Sequence, residues 1–147
     1  MSTILNTDRL IVRKFDLNDA QFIVELLNTP GWLQFIGDKK IRSIDDAKNY
    51  LLSGPMLSYE INGFGLWLVS LKDDNLPIGM CGLIKREGLD FVDIGFAFLP
   101  DYAGKGYAYE AASATMQYAQ TGLRLERILA IASSNNASSI KLLKKLG

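Results

Sequence analysis

The chain has 147 residues, of which 48% are hydrophobic and 22% charged, a composition typical of one globular domain with a substantial core. Its 16 basic and 16 acidic residues cancel, so no net charge favours nucleic acid or an anionic membrane surface as a partner. The absence of histidine excludes Ser-His-Asp and Cys-His mechanisms and any histidine-ligated metal site. One cysteine excludes an internal disulfide, and no apolar run reaches membrane-spanning length. We therefore expect a single soluble domain over residues 1–147, located in the cytoplasm.

The N-terminal part of the chain carries the signals of one strand and two helices. Apolar alternation predicts a strand near residues 10–15, and apolar residues at helical spacing predict a helix over 20–27 that ends before Pro30. A second helix is expected over 43–52, with the serine at its start as the N-cap. Between the helices, residues 32–42 are typical of a loop. Their large side chains suit a wall of a substrate site, or equally a packed surface.

Three strands are predicted next, over residues 65–71, 78–85 and 91–99. Their connections are short and turn-like, so we expect consecutive antiparallel hairpins. A helix over 106–120 presents a stripe of small side chains that can pack close to a sheet, and a strand over 128–132 follows. Because a helical crossover joins parallel strands, the strands at 91–99 and 128–132 should pair in parallel. The predicted fold class is α/β (α+β), with a mostly antiparallel sheet flanked by helices.

The connection between the third of these strands and the helix is the most informative segment of the chain. Its sequence is Leu99-Pro100-Asp101-Tyr102-Ala103-Gly104-Lys105-Gly106-Tyr107-Ala108, and we call residues 99–106 the glycine loop. A strand that passes through glycine into a helix presents free N–H groups at the positive end of a helix dipole, which binds phosphate oxygens. Glycine lets the backbone approach a ligand closely, and Lys105 can add a positive charge. The spacing fits neither a Walker loop nor a dinucleotide fingerprint, and by itself it is equally typical of a tight connection.

The glycine loop resembles the (Gln/Arg)-x-x-Gly-x-(Gly/Ala) cofactor loop of the GNAT superfamily of acyl-CoA N-acyltransferases. In that frame the six positions run from Ala103 to Ala108. Gly106 and Ala108 match the pattern, whereas Ala103 stands where the family usually has Gln or Arg. Since backbone N–H groups do most of the binding in such a loop, the departure weakens the resemblance only a little.

A second segment of the chain resembles the same family. Its pattern Asn-x-x-(Ser/Ala)-x-x-Leu-x-x-Lys-x-Gly is in register with Asn136, Ser139, Lys145 and Gly147. Residues 7–15 also follow the family plan, so the resemblance covers nearly the whole chain and is closest to the ribosomal-protein N-terminal acetyltransferases of the RimJ/RimL type. It implies a GNAT-like sheet with one splayed parallel strand pair. It also implies final strands that are missing after Gly147, which would leave an exposed, unstable or swapping-prone edge.

The resemblance implies acetyl-CoA as co-substrate and no metal. Backbone groups of the loop would bind the diphosphate of CoA, and those at Phe98 and Leu99 would bind the pantetheine arm, with one near Phe98 on the thioester oxygen. Asn136 would bond the pantetheine amides, or would serve only as a helix N-cap. The residues of the loop and of the helix start that are expected to contact the cofactor are Ala103, Gly104, Lys105, Gly106, Tyr107 and Ala108.

Asp93 is the first candidate for the general base. Along its strand it shares a face with Gly95 and Ala97, so we expect its carboxylate to face open space above the sheet. Several family members carry Glu at this position, and the shorter Asp favours proton transfer through water. The alternative is a solvated acid with no catalytic role. Glu60 and Asp38 are weaker candidates.

The general acid is less clearly indicated. Many relatives carry a thiolate-protonating Tyr seven residues after the Asn, a position that is Leu143 here. Ser139 is therefore expected to protonate or hydrogen-bond the sulfur, unless water does so or the serine only caps the helix.

The predicted function is acetyl transfer from acetyl-CoA to a primary amine, with a protein N-terminal α-amine as the first acceptor. A small amine such as an aminoglycoside or polyamine is an alternative, as are an acyl-CoA-binding module without catalysis and a nucleotide-binding protein. The expected partners are the acyl-CoA and the amine, with no nucleic acid and no membrane. A homodimer is an alternative that the sequence leaves undecided.

Overall fold

Six strands form one sheet in the computed structural model of the chain, which describes residues 3–35, 38–85, 92–102, 104–125, 128–130 and 137–146. The strands are β1 (Thr3–Asn6), β2 (Leu10–Arg13), β3 (Leu66–Leu71), β4 (Pro77–Ile84), β5 (Val92–Phe98) and β6 (Ile128–Ala130). They lie in the sheet in the order in which they occur in the chain. Neighbours from β1 to β5 are antiparallel, whereas β5 and β6 are parallel. This confirms the predicted mostly antiparallel sheet with one parallel pair.

The described helices are α1 (Ala20–Leu26), α2 (Pro30–Phe35), α3 (Ile44–Ser53), α4 (Pro55–Asn62), α5 (Tyr107–Thr121) and α6 (Ala137–Leu146). Ser43 is the N-cap of α3, as predicted, and its hydroxyl accepts the Asp46 N–H over 3.1 Å. None of the helices within the described residues combines the length and the apolar character needed to cross a membrane.

Alternation along the central strands places one hydrophobic core on each face of the sheet. On β3, Trp67 packs in the core beneath α5, whereas the next residue, Leu68, packs in the core beneath α1 and α3. Both side chains are fully buried, and burial of each large apolar side chain stabilises the fold by about 1.5–3 kcal/mol. The Trp67 ring also meets Tyr118 of α5 edge-on, with centroids 5.7 Å apart. The sheet is therefore held between α5 on one face and the N-terminal helices on the other.

The small residues of α5 allow it to lie close to the sheet. The side chains of Ala111, Ala112, Thr115 and Ala119 are all fully buried, and α5 contacts β2, β4 and β5. This confirms the predicted stripe and fixes the helix whose N-terminus follows the glycine loop.

The crossover between β5 and β6 has the predicted parallel register, with Val92 opposite Ile128 and Ile94 opposite Ala130. Residues 131–136, where the strands would diverge, lie outside the described residues. The splayed arrangement therefore stays a prediction.

The structure corrects the expectation that residues 32–42 form a loop throughout. Pro30 begins α2 instead of only ending α1, because proline fits the first turn of a helix, where its missing N–H is not needed. Thr29 supports this start, since its carbonyl accepts the Leu33 N–H over 3.0 Å. Trp32 is buried in the core beside α1 and α3. The loop interpretation is therefore wrong for residues 32–35, whereas the role of residues 32–42 as a wall of a substrate site stays a prediction.

Two further elements were not predicted from the sequence. Strand β1 pairs with β2 through a short turn at Thr7–Arg9. Helix α4 begins at Pro55 and ends at Gly63, whose φ of +78° closes the helix in the left-handed conformation. As at Pro30, a proline marks a helix start here.

Candidate active site

The glycine loop leaves the C-terminal end of β5 and leads into α5. Leu99 donates its N–H to the Ile78 carbonyl over 2.8 Å, and a short 3-10 turn over Pro100–Tyr102 follows. Gly104 and Gly106 have φ of +75° and +83°, a region that residues with a side chain rarely adopt. The backbone path itself therefore requires glycine at both positions.

The N-terminus of α5 offers backbone N–H groups without a capping side chain. Gly106 is the N-cap residue, its carbonyl accepts the Glu110 N–H over 3.0 Å, and no side chain of the described residues caps this turn. Because α5 is 15 residues long, its dipole places a partial positive charge at this end. These are the properties of a backbone anion site, and a diphosphate is a ligand that such a site can hold.

An ion-pair cluster ties this helix start to the N-terminal turn. Arg9 donates from Nε to Glu110 Oε1 over 2.7 Å and from its backbone N–H to Glu110 Oε2 over 3.0 Å, and the Thr7 hydroxyl donates to the same Oε2. Arg9 Nη1 also donates to the carbonyl of Lys105 over 3.1 Å. Burial raises the pKa of Glu110, but the hydrogen bonds from Thr7 and Arg9 outweigh it and hold the pKa below its ordinary value of 4.5.

Sequence reasoning missed this cluster because its members lie about a hundred residues apart in the chain. The available signal was the polar run Thr7-Asp8-Arg9 in the segment that resembles the family, but nothing in the sequence pairs that run with Glu110. The cluster joins the β1–β2 turn, the glycine loop and α5.

Aromatic rings surround the loop. The rings of Tyr102 and Tyr107 lie 6.2 Å apart, and the guanidinium carbon of Arg9 lies 4.3 Å from the Tyr107 centroid. Both tyrosines are half-buried against the core under α5, and Lys145 of α6 lies over Tyr109 at 4.3 Å. Packing is therefore an observed role of Tyr102 and Tyr107, whereas Tyr109 makes a cation–π contact with Lys145.

Asp93 is buried, with 1% of its surface exposed, and this corrects the expectation of a carboxylate facing open space. The reason lies on the neighbouring strands. A Cβ added at Gly95 would stand 2.9 Å from Cδ1 of Ile84 and 3.4 Å from Cδ2 of Leu66, so these side chains fill the space that the glycine leaves. The alternative of a solvated acid is wrong for the same reason. Asp93 lies opposite Ile84 on β4 and opposite Leu129 on β6.

The remaining expected site residues are only partly described. Phe98 and Leu99 are half-buried where β5 ends and the glycine loop begins. The expectation that the Leu99 N–H binds the pantetheine arm is wrong, because this N–H already donates to the Ile78 carbonyl. Lys105 is exposed on the loop. Ser139 lies within α6, but its side chain is not among the described parts of the chain. Ala103 and Asn136 lie outside the described residues altogether.

The weaker acid candidates lie on the surface. Asp38 is exposed and accepts a hydrogen bond from Arg42 over 2.7 Å, which lowers the pKa of its carboxyl. Glu60 is exposed on α4. The structure gives neither residue a contact with the glycine loop among the described residues.

Cys81 is a core residue. Its side chain is fully buried 3.5 Å from the Thr115 hydroxyl, and burial raises the pKa of the thiol to about 12. A thiol in this setting is not available as a nucleophile. In the part of the chain that the structure describes, no three His, Cys, Asp or Glu side chains come together as a metal site would require.

Comparison with known proteins gives a consistent result. The family model described as the acetyltransferase (GNAT) domain matches residues 9–147. The uncharacterized N-acetyltransferase YnaD of Bacillus subtilis (strain 168) is 30% identical over 97% of this chain and 81% of that protein. The crystal structure of a GNAT-family acetyltransferase from Bacillus anthracis has 28% identity and a TM-score of 0.80, covering 97% of this chain and 81% of that one. RimL, a ribosomal L7/L12 α-N-protein acetyltransferase in complex with coenzyme A, is 17% identical with a TM-score of 0.84, covering 99% of this chain and 82% of that one.

Proposed function

The chain belongs to the GNAT acetyltransferase family and is an N-acetyltransferase, and we propose that it moves an acetyl group from acetyl-CoA to a protein N-terminal α-amine. The observation that best supports acetyl-CoA as the co-substrate is the uncapped start of α5, which follows two glycines with positive φ at the end of a strand. A diphosphate bound by backbone N–H groups is the ligand that this geometry favours.

In this proposal the glycine loop binds the two phosphates of CoA. The backbone from Ala103 to Ala108 supplies the donors, and Lys105 adds a positive charge from the exposed side of the loop. The pantetheine arm would run along the end of β5, where the N–H near Phe98 would bond the thioester oxygen, and on to Asn136. The coenzyme A held by RimL, which has the same fold, supports this choice of co-substrate.

The chemistry requires a neutral amine, a stabilised oxyanion and a proton for the departing thiolate. We propose Asp93 as the group that accepts the proton from the amine. Because its carboxylate is buried, the proton would reach it through a water molecule rather than by direct contact with the acceptor. We propose that the Ser139 hydroxyl protonates the departing sulfur or donates a hydrogen bond to it. The thioester is already activated, so positioning supplies much of the rate.

The acceptor is proposed from two considerations. RimL acts on a protein N-terminus and shares the fold over nearly the whole chain, although that likeness by itself extends only to the fold. The equal numbers of acidic and basic residues give no sign of the acidic surface that would select a polycation. An aminoglycoside or polyamine is the second candidate. The single buried cysteine fits a cytoplasmic location.

The test is the release of free CoA thiol from acetyl-CoA in the presence of a panel of amines. The panel contains peptides with a free N-terminus, the same peptides with a blocked N-terminus, a polyamine and an aminoglycoside. We expect release with the free peptides, no release with the blocked ones, and acetyl-peptide as the product by mass.

Release only with the polyamine or the aminoglycoside would replace the proposed acceptor with the second candidate. Tight acetyl-CoA binding without release by any amine would contradict the proposed transfer. Strong competition by ATP or NAD with CoA for the protein would contradict acetyl-CoA as the co-substrate.

A further inference from the structure

We infer that Arg9 is a positioning residue for the cofactor: it reaches from the β1–β2 turn and orients the peptide unit between Lys105 and Gly106 for diphosphate binding. This inference rests on the proposed binding of acetyl-CoA at the glycine loop. Alanine at position 103 has no side-chain hydrogen-bond donor, so binding of the diphosphate depends on the orientation of the backbone N–H groups of the loop.

The contacts of Arg9 fix the guanidinium in one place. Nε binds Glu110 Oε1 at 2.7 Å, Nη1 binds the Lys105 carbonyl at 3.1 Å, and the plane lies over Tyr107. Nη2 lies 3.3 Å from the position that a Cβ would take on Gly106. A planar fork with several donors can satisfy these partners together, whereas the single ammonium of lysine cannot.

The bond to the Lys105 carbonyl has a consequence for the ligand. A trans peptide unit is planar, so its C=O and its N–H point in opposite directions, and no cis peptide occurs among the described residues. Because the Lys105 carbonyl points to Arg9, the Gly106 N–H points away from Arg9. Arg9 therefore acts through the peptide and presents this N–H on the far side, without contacting the phosphate itself.

Arg9 also controls the charge at the start of α5. Glu110 stands in the first turn of the helix, where a carboxylate would compete with a bound phosphate for the positive dipole end. The carboxylate is instead engaged by Arg9 and Thr7, and 19% of its side chain is exposed against 45% for Arg9. Loss of Arg9 would both release the peptide and leave an uncompensated negative charge beside the diphosphate.

The test compares acetyl-CoA with acetyl-pantetheine, which lacks the nucleotide and its diphosphate, as donors for one amine. The wild-type enzyme should prefer acetyl-CoA in kcat/KM. Arg9→Ala should reduce that preference about tenfold or more, mainly through a higher KM for acetyl-CoA, while kcat/KM for acetyl-pantetheine changes little. Arg9→Lys should restore only part of the preference. The double variant R9A/E110Q should recover the part that is due to charge repulsion.

Arg13→Ala is the matched control. Arg13 lies on the strand that follows the same turn and forms an ion pair with Asp19 at 2.8 Å, away from the loop. This variant should lower the melting temperature without changing the donor preference. An equal loss of preference in Arg13→Ala would show that general destabilisation is the cause and would overturn the inference.

The proposed diphosphate site and the proposed role of Arg9 are contradicted by different results. A wild-type enzyme with no preference for acetyl-CoA over acetyl-pantetheine would contradict the proposed diphosphate site. A wild-type preference that Arg9→Ala and Arg9→Lys both leave intact would overturn the role of Arg9 alone.

Discussion

At the scale of single residues, Gly104 and Gly106 make the glycine loop possible for two separable reasons. Both have positive φ, which strains any residue that carries a Cβ. A Cβ at Gly104 would meet nothing within 4 Å, whereas one at Gly106 would stand 3.3 Å from Arg9 Nη2. The open space around Gly104 is space into which a ligand can enter.

We predict that Gly104→Val and Gly106→Val each weaken CoA binding at least about tenfold, because backbone strain of about 1–2 kcal/mol is added to obstruction of the phosphate. The dissociation constant by calorimetry is the measurement. Gly63→Val is the matched control, since Gly63 has φ of +78° and open space around it but closes α4. This control should lose stability and keep its CoA affinity. Unchanged affinity in both loop variants would count against the site.

Asp93→Asn tests the proposed base with little change in volume. Loss of a general base lowers turnover by about a hundredfold or more, and we expect kcat to fall by this amount and the pH optimum to shift while CoA affinity is kept. The pH profile of kcat is the measurement. Asp38→Asn, which removes the exposed carboxyl beside Arg42, should behave like wild type. A wild-type pH profile in Asp93→Asn would remove this residue from the mechanism.

At the scale of elements, Glu110 links α5 to the β1–β2 turn, and the folded protein favours the ionised form of its carboxyl. The pKa of Glu110 is below 4.5 in the fold, so the carboxylate contributes its full stability above pH 4.5. That contribution is lost as the pH falls through the lowered value. The attachment of α5 to the N-terminal turn is therefore acid-sensitive.

We predict that the melting temperature of Glu110→Gln falls less steeply than that of the wild type between about pH 5 and about pH 3, because the glutamine does not titrate. Thr7→Val removes one of the hydrogen bonds to the carboxylate and should give an intermediate slope. Thermal melts in a pH series check this. Identical slopes for the wild type and Glu110→Gln would contradict the prediction.

The sequence predicted the sheet elements well where local pattern decides them. Strands β3, β4 and β5 alternate or run apolar between short polar turns, and the turn at Lys72–Asn75 closes with φ of +56° at Asn75. The parallel β5–β6 pair followed from the helix between them. Helices α2 and α4 were missed because proline breaks a helix in its interior and suits its first turn, and position decides which applies.

The candidate site was predictable only where it depends on neighbours in the chain. The glycine loop and the helix that follows it are one continuous segment, and their conformation is as expected. The space above Gly95, which shares a face of β5 with Asp93, is filled by Ile84 and Leu66 from two other strands, and no periodicity along β5 reveals this. The Arg9–Glu110 pair likewise joins residues whose proximity exists only once the sheet has formed.

At the scale of the whole molecule, Cys81 reports on the integrity of the sheet and of the core under α5. It is the single cysteine of the chain, lies on β4 in the middle of the sheet, and is fully buried with its pKa raised to about 12 by that burial. Its thiol can react only when the sheet and α5 separate. Protection of this one group therefore measures global opening.

We predict that a thiol reagent at about pH 8 labels the native protein at least about a thousandfold more slowly than the urea-unfolded protein, because reaction needs the open form. The labelling rate across a urea series should rise together with the unfolding transition seen by circular dichroism. Cys81→Ala provides the blank. Rapid labelling in the absence of urea would contradict the buried position of the thiol.

The arrangement of strands in chain order has a consequence for biogenesis. Since none of the six described strands lies between two strands that precede it in the chain, a nascent polypeptide can extend this part of the sheet at one growing edge as it leaves the ribosome. The bond between Arg9 and Glu110 spans 101 positions and can form only after synthesis has passed α5. The loop would acquire its working shape late, once most of the chain has emerged.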